Sequence, residues 1–377
     1  VTVADKTWAL LNQALDVYQD NPRAVGWLQT QCARFAEPLR IAVAGAEGSG
    51  KSTLVSALVG APVTSPIVSW PSRGLGDLIL VDEPSQDADA VLFLLRHPAD
   101  TVPMDGGMHT IAVLSHADEL GGGRVDALIS ARQIARRRRR EPEIGEVCDL
   151  IAVAGLAAAA GRMVDEAQFD ALALLAGCSR EDLEPWLLSA DRFVRPECPA
   201  PVQPEVRAEL VRRFGLFGVR LAVTLLRQGC DTAPKLSAQF QQRSGLTELR
   251  DAIGQCFTEH APILKSRTAL LALEALLRRE LQPGAGALGV ELDRVLAGAH
   301  EFRALRALSS LRTGRTVLTP ELADEARLLL SGAQAGPDAL GRWKEVSEDS
   351  LLSSTDRATA RVVVRACEEG LVSGTAG

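Results

Sequence analysis

The eight residues Gly45-Ala46-Glu47-Gly48-Ser49-Gly50-Lys51-Ser52 constrain what this chain can fold into more than any other stretch. They read G-x-x-x-x-G-K-S and follow the apolar run Leu39 to Ala44, which has the length and β-branched content of a buried parallel strand. After them, Thr53 to Val59 places apolar residues at helical spacing and stops at Gly60. Strand, glycine loop and helix therefore come in the order a phosphate-binding loop requires. Gly45, Gly48 and Gly50 let the backbone curl so that successive N–H groups face one oxyanion, and the helix starting near Lys51 adds its positive end. Lys51 is placed to reach β- and γ-phosphates and the Ser52 hydroxyl to hold Mg²⁺, with Ala46, Glu47, Ser49 and Thr53 completing the loop's contacts.

Further strands follow at Leu78 to Val81, Ala90 to Leu95, Thr110 to Ser115 and Asp149 to Ala154, with a helix over Val125 to Arg140. Near-continuously apolar strands of this kind describe a parallel sheet covered on both faces, whose ligands bind beyond the carboxyl ends of the strands. From about residue 157 onward the pattern is helical. It includes segments at Glu205 to Phe214, Leu216 to Arg227, Leu246 to Phe257, Ile263 to Leu281 and Val290 to Ser310. Residues 7 to 36 form two helices divided at Asn21-Pro22. They have nothing to bury against in the nucleotide core alone and are expected to pack on helices from the end of the chain. With 377 residues, the chain exceeds a single core. The expected α/β layout is a P-loop domain of the Ras-like GTPase kind over 37–258, carrying a helical insertion over about 157–245. An all-α bundle is built from 1–35 and 259–377.

Two P-loop classes compete for the strand end Leu80-Val81-Asp82-Glu83-Pro84. It looks locally like the aspartate-glutamate end of an ABC-type ATPase. Thirty residues separate Ser52 from Asp82, however, which leaves no room for the helical subdomain of that class, and no L-S-G-G-Q precedes Asp82. The short spacing suits a GTPase core instead, with Asp82 at the D-x-x-G position binding Mg²⁺ through water. Base reading then falls to Ser115-His116-Ala117-Asp118, where Asp118 is in register to accept the guanine N–H groups and His116 replaces the usual lysine. Ala154 and Gly155 supply backbone N–H groups for the guanine carbonyl.

A resemblance now becomes specific. The stretches Ala36 to Gly45, Trp70-Pro71-Ser72-Arg73, Leu114 to Glu119, Val153-Ala154-Gly155-Leu156, Arg213 to Arg220 and His300-Glu301-Phe302-Arg303 resemble the bacterial dynamin-like GTPases of the actinobacterial isoniazid-inducible type. The resemblance implies GTP or GDP with Mg²⁺ as ligands and a bundle made from both chain ends. It also implies nucleotide-dependent association with a dynamin-like partner or a second copy, and action at the inner face of the membrane. Three departures stand out. The span Ala61 to Asp77 is short for a switch loop, leaving Thr64 as the only threonine to close over Mg²⁺. Ser85 stands at the D-x-x-G glycine, and Glu47 puts an acid where it repels a γ-phosphate. The expectation is a nucleotide binder with slow or lost hydrolysis. An active GTPase rescued by a partner and a scaffold without nucleotide remain the alternatives.

The net charge of −7 excludes a general nucleic-acid binder, despite the run Arg136 to Arg140, which reads as a solvated helix end. Seven cysteines without a C-x-x-C pair point to a reducing cytoplasm, and the five histidines show no metal spacing. The first residues lack a signal-peptide pattern and no apolar run is long enough for a membrane span. The expected location is therefore cytoplasmic, with any membrane contact peripheral.

Overall fold

The computed structural model describes residues 2–72, 74–81, 87–103, 107–144, 146–161, 164–336 and 338–374. Asp82 and Ser85 lie outside them. The sheet comprises β1 (Leu39–Gly45), β2 (Ile67–Ser72), β3 (Gly76–Val81), β4 (Ala90–Leu95), β5 (Thr110–Leu114) and β6 (Asp149–Ala152). Their order is β2-β3-β1-β4-β5-β6, parallel except for the edge strand β2, which runs antiparallel to β3. This is a mixed α/β fold of the P-loop, Ras-like kind. Strand β2 escaped the sequence reading because its residues alternate between exposed and buried and include Pro71, which an edge strand tolerates.

The helices are α1 (Val3–Val17) and α2 (Pro22–Arg34) before the sheet, α3 (Lys51–Val59) after β1, and α4 (Ala127–Arg138) between β5 and β6. Then come α5 (Gly155–Ala160), α6 (Glu166–Gly177), α7 (Arg180–Leu183), α8 (Ala190–Phe193), α9 (Pro204–Arg227), α10 (Ala233–Arg243) and α11 (Leu246–Ile253). Finally α12 (Ala261–Arg279), α13 (Ala285–Gly298), α14 (His300–Thr313), α15 (Pro320–Leu330), α16 (Ala339–Glu348) and α17 (Ser354–Gly374) finish the chain. The break read between Phe214 and Leu216 is a kink inside α9, where Gly215 takes φ 67° and ψ 166°. The single segment read over Val290 to Ser310 is two helices, which meet at Ala299.

One core joins α1, α2, α12, α13 and α14 to one sheet face, while α15, α16 and α17 pack around Trp343 in a cluster of their own. A capping box between Thr2 and Asp5 starts α1, which buries Val3, Thr7, Leu10, Leu11 and Ala14 at three- and four-residue spacing. That stripe meets α12 and α13. Polar ties fix the contact: the Tyr18 hydroxyl donates to the Glu280 carbonyl at 2.6 Å, and the Val3 amide donates to Glu301 Oε1 at 2.8 Å. The same core takes in Leu39, Ile41 and Val43 of β1, Leu78 and Leu80 of β3, and Leu54, Val55 and Leu58 of α3. Arg250 of α11 stacks over the Trp70 ring at 5.3 Å and donates to Ser72 Oγ, fastening the edge strand.

The opposite sheet face is covered unevenly. Helix α4 packs on β6, while Ile79, Val81, Val91 and Phe93 are only half-buried. The chain returns from β3 to β4 in the eight residues 82–89. A parallel crossover that carries a helix ordinarily needs a dozen residues or more.

Candidate functional site

The phosphate loop leaves the carboxyl end of β1, where Gly45 has φ 143° and a Cβ would lie 2.7 Å from the Leu94 carbonyl and 2.9 Å from Ser49 Oγ. Only glycine fits that position. Gly50 is the N-cap of α3 in the left-handed region and offers no side-chain cap, so the first-turn amides of α3 face the loop. Ser49 is fully buried, and its Oγ has no hydrogen-bond partner among the described residues. Lys51 Nζ donates to the carbonyls of Gly45 and Ala46 at 3.0 and 3.1 Å, lying back along the loop. Glu47 and Ser52 are exposed. A backbone cradle that a Cβ would fill, bordered by helix amides and one ammonium, fits a phosphate group. The Ser52 hydroxyl would hold a Mg²⁺ brought by it.

His116 follows β5 in a left-handed conformation, φ 52°, an uncommon one for a residue other than glycine. Its ring bridges two acceptors: Nδ1 lies 2.8 Å from Glu119 Oε1 and Nε2 lies 3.2 Å from the Gly48 carbonyl. Both contacts are hydrogen bonds at once only when both ring nitrogens carry protons. Arg96, at the carboxyl end of β4, donates to the same Gly48 carbonyl at 2.9 Å and stands 4.0 Å from Glu119. His116 and Arg96 together clasp the phosphate loop at Gly48. Sequence reasoning missed Arg96; its place just past a parallel strand is the signal that could have found it.

Asp118 lines a cleft of about 90 Å³ with Ser49, Gly50, Thr53, His116 and Gly155. Burial pushes its carboxyl above the usual aspartate value, and the nearby His116 opposes that rise. Two devices hold the aspartate in place. The kink at Gly215 lays α9 against it, so that a Cβ there would come within 3.8 Å of Asp118 Oδ2 and 3.4 Å of Leu156. Arg220, five residues on, donates to the carbonyls of Gly122 at 3.0 Å and Leu187 at 2.9 Å and also to Gly123, which pins the turn behind Asp118. The likeness noted over Arg213 to Arg220 thus falls behind two lining residues of the cleft, Asp118 and Leu156, and does not itself line it.

The remaining sequence-predicted residues divide. Ser115 is buried and donates its hydroxyl to the Leu95 carbonyl. The Ala154 amide donates to the Ser244 carbonyl at 2.9 Å, while Gly155 begins α5, where first-turn amides have no intrahelical partner. Ser52 and Thr53 line a second cavity, about 360 Å³, with Ser56, Pro62 and Arg213. Thr64 is exposed before β2 and does not line that cavity. Of the run Arg136 to Arg140, Arg138 pairs with Glu141 at 2.7 Å and Arg139 with Asp149 at 3.1 Å, so part of it ties α4 to its surroundings.

No protein-family profile matches the chain. The isoniazid-induced protein IniC of Mycobacterium tuberculosis, in strains CDC 1551 and H37Rv, is 32% identical over 429 residues, covering 88% of this chain and 87% of that protein. Since 88% of this chain is about 332 residues, about a hundred residues inside the aligned region of the relative have no counterpart here. Among solved structures, a GTP-binding protein from Sulfolobus solfataricus in complex with GDP superposes with a TM-score of 0.23 at 14% identity. That match covers 41% of this chain and 62% of that one, and the likeness is too slight to bear on the argument. The long alignment with IniC, on a sheet of Ras-like order that carries the phosphate loop, decides the family. The chain belongs to the isoniazid-inducible family of bacterial dynamin-like proteins.

Proposed function

We propose that this protein binds guanine nucleotide and that the bound nucleotide controls its association with a dynamin-like partner or a second copy, at or near the inner membrane. One observation carries the reading: the phosphate loop and Asp118, far apart in sequence, line a single cleft. At about 90 Å³ the cleft is smaller than the 300 Å³ or more of a pocket that encloses a whole ligand. It takes the edge of the base, and the phosphates lie on the exposed loop. The Asp118 carboxylate would accept the paired N–H groups of guanine, which adenine does not offer. The Gly155 amide would meet the guanine carbonyl; the Ala154 amide is already engaged.

Hydrolysis is slow or lost on this reading. Glu47 stands on the loop's exposed tip, Thr64 does not border the cavity beside Ser52, and the β3 to β4 connection is brief. The missing hundred or so residues relative to IniC are consistent with lost switch segments. No helix among the described residues is long and apolar enough to cross a membrane.

The scaffold reading has one observation of its own. Lys51 bonds to its own loop, and Gly48 is clasped by both His116 and Arg96, so the loop is braced by protein groups alone. Isothermal titration with GTP, GDP and ATP, with and without Mg²⁺, decides between the two. Heat with GTP and GDP but not ATP is expected. The absence of heat with every nucleotide would select the scaffold.

A further inference from the structure

A further concavity lies at the other end of the molecule. Helix α14 packs against β6, and Ser309 Oγ donates to the carbonyl of Val147, just ahead of that strand. This places α14 below the amino ends of the strands, away from the phosphate loop. Between α14 and α17 runs an open groove of about 640 Å³. Four guanidinium groups line it: Arg303 and Arg306 from α14, Arg361 and Arg365 from α17. Each pair is spaced three or four residues apart, so both members share one helix face. Ala307 and Val362 contribute apolar surface between them.

The charges are poorly neutralised. Among the described lining residues Glu369 is the single carboxylate, and it pairs with Arg365 at 2.8 Å. Arg306 stands a loose 4.0 Å from Glu146, and Arg303 donates to a neutral acceptor, the Gly298 carbonyl. Arg361 makes no hydrogen bond or ion pair with the described residues. All four arginines are exposed, so water screens their mutual repulsion, but like charges on one helix face remain mildly unfavourable. In a chain of net charge −7, this convergence is out of keeping with the surface at large. A dianion seated in the groove would relieve it, because guanidinium forks match phosphate oxygens in pairs.

We propose that this groove binds a phosphate-bearing anion, with Arg303 and Arg361 gripping it from opposite walls and Val362 and Ala307 contacting an adjoining apolar portion. The site stands apart from the nucleotide reading. Its anion is either a soluble phosphate ester or a phospholipid headgroup, and the two are separable. Inorganic pyrophosphate is titrated calorimetrically into the full chain carrying Lys51→Ala, so that the phosphate loop does not compete. Vesicles of phosphatidylglycerol with phosphatidylcholine, against phosphatidylcholine alone, are tested by flotation. At least one anionic probe is expected to bind, and more weakly as salt is raised.

Arg303→Ala with Arg361→Ala leaves no carboxylate unpaired and is expected to weaken binding roughly tenfold or more. Arg303→Lys with Arg361→Lys keeps the charge, loses the forks and falls between. Arg278→Ala, on α12 and paired with Glu274, removes a charge elsewhere and is expected to change little. Binding of vesicles alone identifies a headgroup, and binding of pyrophosphate alone a soluble ligand. If neither probe binds, or if the double alanine variant binds as tightly as the parent, the proposal is overturned.

Discussion

Replacing Gly245 with alanine tests the architecture of the site without reference to any ligand. Gly245 sits between α10 and α11 at φ 83°, and a Cβ there would lie 2.1 Å from the Ala152 carbonyl at the end of β6. Ordinary contact begins near 3.4 Å, so the turn must withdraw by about 1.3 Å. That withdrawal pulls the Ser244 carbonyl from the Ala154 amide, now 2.9 Å away. The left-handed backbone costs an alanine about 1–2 kcal/mol. A buried amide left unpaired costs about 1–3 kcal/mol more. A total of about 2–5 kcal/mol follows, concentrated where β6 meets α5. Gly121→Ala is the comparator: it shares the left-handed backbone, φ 64°, but nothing lies within 4 Å of the added carbon, so only the first cost applies. Urea denaturation ranks the two variants, and hydrogen exchange over residues 150–158 localises the damage. The reasoning fails if Gly245→Ala unfolds together with Gly121→Ala and exchanges no faster at Ala154.

Arg220→Ala removes the fork that holds Gly122, Gly123 and Leu187, so exchange should quicken in the turn behind Asp118 and guanine affinity should fall by about tenfold, while Arg220→Lys recovers only part of it. Unchanged exchange at residues 119–124 would remove Arg220 from this role. Lys51→Ala should abolish most GTP affinity with little change in melting, since the lysine contributes charge and not core packing; a variant that binds GTP like the parent places the nucleotide elsewhere. The raised carboxyl of Asp118 gives a pH signature of known sign. Guanine recognition needs the carboxylate, so GTP affinity should decline on acidification at a higher pH than an exposed aspartate, ordinarily 3.8, would give. Folding runs the other way: the native chain holds this proton more tightly than the unfolded one. The group therefore stabilises below 3.8, and that contribution is lost as pH rises from 3.8 through the raised value. Asp118→Asn should flatten the acid limb of a GTP titration series; an unaltered limb assigns it to another group.

The parts legible in the sequence were those whose chemistry permits few residue types. The loop from Gly45 to Ser52 is recognisable because a backbone cradle needs glycine where a Cβ would strike Leu94. Strands β1, β4 and β5 show as apolar runs because they lie inside the sheet, and β6, at its edge, because α4 packs on it. Asp118 was placed by counting strands, not by a full motif, since His116 takes the lysine's position. Residues defined by reach across the fold were hidden. Arg96 meets Gly48 from 48 residues away and Arg220 meets Gly122 from 98, and nothing local marks either arginine among many. Helix α6 confines its polar residues, Glu166, Gln168 and Asp170, to its first half, so the apolar second half lacks the contrast from which a helical period is read. The arginine groove was invisible for a simpler reason: its two walls come from helices that only the packing of the chain's end brings side by side.

The passage from β3 to β4 is brief: eight residues are fewer than a helical crossover ordinarily takes, and they join two strands that flank β1 in the middle of the sheet. The phosphate-loop helix meets the later helices chiefly through α5, which rests on α3 and on the bent shaft of α9. The bend in that shaft is at Gly215.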